Sequence, residues 1–155
     1  MNKPLQHPFG ATITPDYSSD GYGWAMAQAQ LIRERRFELV DWDNVAEEIE
    51  SMGKSELRAT ESALRIVLLH QLKWTHQPLY RSRSWSNSIA EHLRRFDREM
   101  RRNPGLKPHL DEILIDAYRQ ARYEAAQETG LLFGAFPEEP PSWDVIRSPL
   151  DPQID

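Results

Sequence analysis

The sequence predicts an all-α protein: a helical bundle of four long helices plus a short second helix, with an irregular Pro-rich C-terminal strap. Three observations carry that prediction. Apolar residues recur at three- and four-residue spacing over most of the stretch from Tyr17 to Thr129. No segment alternates apolar and polar residues as a half-buried strand would. Beyond Gly130, Pro137, Pro140, Pro141, Pro149 and Pro152 break any longer helix. At 155 residues the prior is one domain. We expect a mobile N-terminal arm over 1–16, a single helical domain over 17–150 and a tail over 151–155.

The arm holds Pro4, Pro8, Gly10 and Pro15 and shows little periodicity. The first helix is expected over Tyr17–Arg36, capped by Ser18, Ser19 or Asp20, whose side-chain oxygens can accept the free N–H groups of a first turn. Its inner face would be Trp24, Ala27, Gln28, Leu31, Ile32 and Arg35. A short second helix follows, capped by Asp41 or Asp43. Val45, Ile49 and Met52 form its expected buried stripe, with Glu48 at the border, and Gly53 offers a stop.

The third helix is expected from Ser55 to about His76. Its second half, ALRIVLLHQLKW, is apolar on nearly every side, which marks a helix surrounded by others. Pro78 disfavours helical geometry at Gln77 and ends it. Ser84 is the expected cap of a fourth helix running to about Arg102, with Trp85, Ile89, His92, Leu93, Phe96 and Met100 inward. Asn103-Pro104-Gly105 signals a turn. The fifth helix runs from about Pro108 to Thr129. Its face of Leu110, Ile113, Leu114, Ala117, Ala121 and Ala125 is narrow enough for close approach, and Gly130 is placed as the C-terminal cap. In the strap, Phe133, Phe136 and Trp143 would pack on the bundle, with one helical turn capped by Ser142.

Composition removes several function classes. There is no Cys, so disulfides and thiolate metal sites are excluded. The longest apolar run, Ile66–Leu69, is far too short to cross a bilayer, and no membrane partner is expected. A formal net charge of -5 argues against nucleic acid, which needs many phosphate-neutralising cations. The opening residues lack the apolar middle of a signal peptide, so a cytoplasmic location is expected.

The charges are segregated. Asp41, Asp43, Glu47, Glu48 and Glu50 form an acidic block, whereas no acidic residue lies between Glu61 and Glu91. Arg65, Lys73, Arg81 and Arg83 fall in that gap with His70 and His76. The simplest reading is that the acidic helix packs near the basic turn. The other is an anion-accepting patch.

Three kinds of chemistry could reside in such a bundle. A di-iron bundle uses Glu-x-x-His, and no acid stands three residues before any His here. His70 and His92 are the only plausible inward metal pair, and two core histidines with satisfied hydrogen bonds explain them better; no metal and no cofactor is expected. No Gly-x-Ser-x-Gly elbow or phosphate-cradling loop exists, and no catalytic residue is assigned. There remains the stretch HQLKWTHQPLYRSRSW, from His70 to Trp85, joining the third and fourth helices. Trp74, Tyr80, Arg81, Arg83 and Trp85, with Glu48, form the candidate ligand or partner surface, because guanidinium groups stack on indole and fork onto carboxylates. The same residues could instead lock two helices together.

Several motifs resemble one family. The run DWDNVAEEIESMGKSE at Asp41–Glu56 is similar to the opening signature of the bacterial domain-of-unknown-function 29 family. So are HQLKWTHQP at His70–Pro78, RSRSW at Arg81–Trp85, AYRQAR at Ala117–Arg122, ETGL at Glu128–Leu131 and FPEEPP at Phe136–Pro141. The resemblance covers roughly 16–150, with departures at Thr75-His76 and Leu79-Tyr80. It implies a compact bacterial all-helical protein and carries no known activity or catalytic residues. The function expected is therefore that of a non-catalytic module that binds a protein partner or itself. The alternative is a small anionic-ligand binder or enzyme with a pocket at the turn between the third and fourth helices, with Glu48 as acid or base and Arg81 and Arg83 as anion clamps.

Overall fold

The computed structural model describes residues 15–151, and among them there is no strand. Five α-helices follow in order: α1 Gly21–Arg33, α2 Trp42–His76, α3 Arg83–Arg102, α4 Leu110–Thr129 and α5 Trp143–Arg147. Short 3-10 turns at Phe37–Leu39, Pro78–Tyr80, Pro104–His109 and Phe133–Ala135 lie in the connections. The all-α expectation holds. Residues 1–14 of the expected arm and 152–155 of the expected tail lie outside the described residues. The chain divides into two compact units, Met1–Met52 and Gly53–Asp155.

In the first unit, Asp20 caps α1. Its carboxylate accepts from the Gly23 amide at 2.8 Å and lies close to where a Cβ on residue 23 would sit, so a larger residue there would require the Asp20 side chain to shift. Trp24, Gln28 and Leu31 repeat at helical spacing and are buried. Trp24 Nε1 donates to Asp41 Oδ2 at 3.2 Å, and the Asp41 amide donates to Gln28 Oε1 at 2.8 Å. These bonds tie α1 to the first residues before α2. α1 ends at Arg33, short of the expected Arg36. The Arg36 amide closes back onto Leu31 O at 2.9 Å while Arg35 takes a left-handed φ of 58°.

Two expectations fail here. The second and third expected helices are one 35-residue helix, α2, and Gly53 does not stop it. Gly53 lacks the positive φ of a cap, and an interior glycine costs only about 1 kcal/mol against alanine, too little to break a helix flanked by good helix formers. A Cβ at Gly53 would meet nothing within 4 Å. Gly53→Ala should therefore stabilise the protein by about 0.5–1 kcal/mol, read as a higher urea midpoint at unchanged slope.

Second, the stripe expected to be buried is not. Ile49 is 61% and Met52 66% exposed, Trp42 is 51% exposed, and Val45 is half-buried. Within the unit, α1 is only 13 residues long. Trp24 and Gln28 engage Asp41, just before α2, and Tyr17, ahead of α1, bonds Glu48 on α2; the apolar stripe is left open.

The second unit is a bundle of the rest of α2 with α3 and α4, closed by the strap. Ala63, Leu64, Val67, Leu68 and Leu72 of α2 meet Ile89 and Phe96 of α3 and Ile113, Ala117, Ala121 and Ala125 of α4. As the sequence indicates, the second half of the expected third helix is central, and the alanine face of α4 allows close packing. Pro78 follows the end of α2, and Gly130, at φ 72°, ends α4. Ser82, not Ser84, caps α3: its Oγ accepts from the Trp85 amide at 3.3 Å. Ser142 caps α5 as expected. In the strap, Phe136 and Ile146 are almost fully buried and Trp143 stacks on Phe96 at 5.6 Å. Glu99, which periodicity did not single out, is also buried; Arg98 and Arg102 lie 3.8 and 3.5 Å from its carboxylate.

Candidate functional site

The end of α2, the 3-10 turn and the start of α3 bring five of the six candidate residues together. Proline at 78 forces the chain out of α2, and the turn that follows points Arg81 back along the helix it has left. Arg81 Nε donates to the Trp74 carbonyl at 2.9 Å, and its guanidinium lies 5.3 Å from the centre of the Trp74 ring. Its Nη2 is 3.8 Å from the Asp151 carboxylate, while Trp74 Nε1 donates to the Asp151 carbonyl at 3.1 Å. Arg81 thus fastens the end of α2 to the strap. Lys73 sits 4.6 Å over the Trp85 ring and pairs with Glu128 of α4 at 2.6 Å. Tyr80 is largely exposed, and Arg83 opens α3 with its side chain in solvent.

Glu48 belongs to the first unit. Its Oε1 accepts from the Tyr17 hydroxyl at 2.6 Å, and this bond pushes the Tyr17 pKa up to about 12. Within the second unit, carboxylates of α4 and the strap reach the basic residues of the acid-free interval. Arg65 bonds Glu124, Lys73 bonds Glu128, and Arg81 approaches Asp151.

The two inward histidines have backbone partners. His70 Nδ1 is 2.9 Å from Ile66 O, and His92 Nδ1 is 2.9 Å from Ser88 O. A carbonyl only accepts, so each Nδ1 carries the proton. Among the described residues no group of three metal-binding side chains converges. Burial holds the His70 pKa below the usual imidazole value, with the charge of Lys73 acting the same way and Ile66 O and Glu128 opposing. The unfolded chain then binds more protons than the folded one on the acid side. The stability that His70 contributes is present above the unfolded value of about 6.5 and is lost as pH falls through its lower folded value. Melting temperature should drop as pH falls below the ordinary imidazole value, and His70→Gln should flatten that limb; equal drops in both proteins would contradict the assignment.

A cavity of about 350 Å³ lies beside Trp74, between α2, Tyr118 of α4 and the strap. Leu68, Leu72, Val145 and Leu150 give it an apolar wall, and Gln71, Glu139, Ser148 and Asp151 contribute polar groups. Trp74 is the one candidate residue that lines it. Sequence reasoning reached Trp74 but not the strap residues opposite, because an aperiodic Pro-rich segment reveals no partner until it is folded back.

No helix among the described residues is long and apolar enough to cross a membrane. No curated protein and no solved structure matches the chain significantly. A family model described as "Domain of unknown function DUF29" matches residues 17–150. That span contains every motif on which the resemblance rested and all five helices, and the chain belongs to this family.

Proposed function

We propose that this protein is a non-catalytic interaction module of the bacterial cytoplasm, and that it associates with a second copy of itself through the first unit. One observation carries the reading: the apolar stripe on α2 in which Trp42, Ile49 and Met52 are exposed and Val45 is half-buried. Spacings of three, four and three are those of the a and d positions by which helices pair. Water-exposed side chains of this size on one face mark a contact surface rather than a finished exterior. A second copy brings an identical stripe, and symmetric self-association is the commonest assembly of soluble chains. The lack of cysteine fits a reducing compartment.

Deleting the strap is not a clean test, since Phe136 and Ile146 belong to the core. Light scattering coupled to size exclusion should instead compare the full chain with Ile49→Glu/Met52→Glu. The expected result is a dimer that the double substitution converts to a folded monomer. A monomeric parent at high concentration would overturn self-association, and a parent that stays monomeric until a different protein is added would replace the second copy with that protein.

A further inference from the structure

The geometry of the cavity beside Trp74 points to a second, independent capability: we propose that it binds a small organic amine with an apolar body. Most donors of the cavity are already committed. Gln71 Nε2 donates to Ile146 O at 2.8 Å, Trp74 Nε1 to Asp151 O at 3.1 Å and the Tyr118 hydroxyl to Pro137 O at 2.7 Å. The Ser148 hydroxyl donates to Asp144 O at 2.6 Å. His76 Nδ1 is 2.9 Å from Leu72 O, which fixes the proton on that nitrogen. The bonds from Gln71, Trp74 and Tyr118 hold the strap to α2 and α4, and all five spend a donor on a backbone carbonyl.

What remains on the lining residues is mostly acceptors, beside two donors, the Thr75 hydroxyl and the second hydrogen of Gln71 Nε2. The acceptors are Gln71 Oε1, the lone pairs of Ser148 Oγ and the carboxylates of Glu139 and Asp151, with His76 Nε2 turned away from its own helix carbonyl. No lysine or arginine lines the cavity, and Arg81, which lies over the Trp74 ring, is not among its walls. An anion would meet the Glu139 carboxylate and that of Asp151, which already faces Arg81 at 3.8 Å, with no cation among the lining residues. A neutral hydrocarbon would leave acceptors desolvated without partners, which costs free energy. An ammonium donates three hydrogens, is attracted to carboxylate and to the faces of Trp74 and Tyr118, and lets its apolar body lie against Leu68, Leu72 and Val145. The volume, near the lower end of the roughly 300–1,000 Å³ of small-molecule sites, suits a single-ring or branched-alkyl amine. The chemistry is the reverse of the anion clamp that the arginines of the neighbouring turn suggest from sequence.

The test uses the full chain and three probes of one shape: phenethylamine, phenethyl alcohol and hydrocinnamate. Titration calorimetry should show saturable uptake of phenethylamine, with hydrocinnamate weaker by at least about tenfold and the alcohol between them. Glu139 is exposed, so Glu139→Gln keeps the fold and should weaken the amine by about tenfold. Val145 is 60% exposed at the rim, and Val145→Trp should fill the cavity and abolish uptake at near-native melting temperature. No saturable phenethylamine binding, equal binding of hydrocinnamate, or unchanged binding in both variants would overturn the proposal.

Discussion

Truncation after Gly130 is expected to abolish the cooperative unfolding of the second unit. By sequence, residues 131–155 form a proline-rich strap with one turn of helix, whose aromatics Phe133, Phe136 and Trp143 are expected to pack on the bundle. In the fold they supply Phe136 and Ile146, which are almost fully buried, and the ring of Trp143 on Phe96. Their backbone carbonyls also take the donors of Gln71, Trp74 and Tyr118. Losing one large core side chain costs about 2–5 kcal/mol, and leaving a buried donor unpaired costs about 1–3 kcal/mol. Several such losses together exceed the roughly 5–15 kcal/mol that holds an ordinary domain. Circular dichroism on heating should show a broad, weak transition in the truncated chain. A sharp transition close to that of the full chain would mean the strap is an appendage.

Phe96→Ala is expected to be the most damaging single substitution, at about 3–5 kcal/mol. Phe96 is 1% exposed on α3, faces the α2–α4 core and carries Trp143 of α5 on its ring. Alanine would open a cavity at the centre of the second unit and remove the platform of the strap at once. Urea unfolding should show the loss as a lower midpoint. Phe96→Leu, which refills most of the space, should recover more than half of it. A Phe96→Ala protein within 1 kcal/mol or so of the parent would mean that α3 and α5 can collapse into the gap.

The sequence made the helices legible where periodicity and punctuation agreed. Pro78, Gly130 and Ser142 each mark a boundary by a local stereochemical mechanism, and each stands where expected. Gly53 misled because glycine permits a stop without requiring one. Ser84 misled because Ser82, two residues earlier, offers the same capping chemistry. The stripe of Val45, Ile49 and Met52 was identified correctly as an apolar face. Periodicity says which residues share a side of a helix and is silent on whether anything lies there. The Trp74–Arg81 lock was legible as a concentration of indole and guanidinium. Its carboxylate and carbonyl on Asp151 were not, since a contact across 77 positions leaves no local trace. Glu99 was missed for a related reason: a carboxylate on a highly charged helix looks exposed until its position on the inner face is known.

The central claim is that the exposed stripe of α2 meets its own image. Because the chain contains no cysteine, a single introduced thiol reports on one position alone. Ile49→Cys places it on the stripe, and Glu47→Cys places a control on an exposed part of the same helix off the stripe. Under mild oxidation, non-reducing electrophoresis should show Ile49→Cys as a disulfide-linked dimer and Glu47→Cys as a monomer. Equal cross-linking of the two variants, or none in either, would contradict the claim.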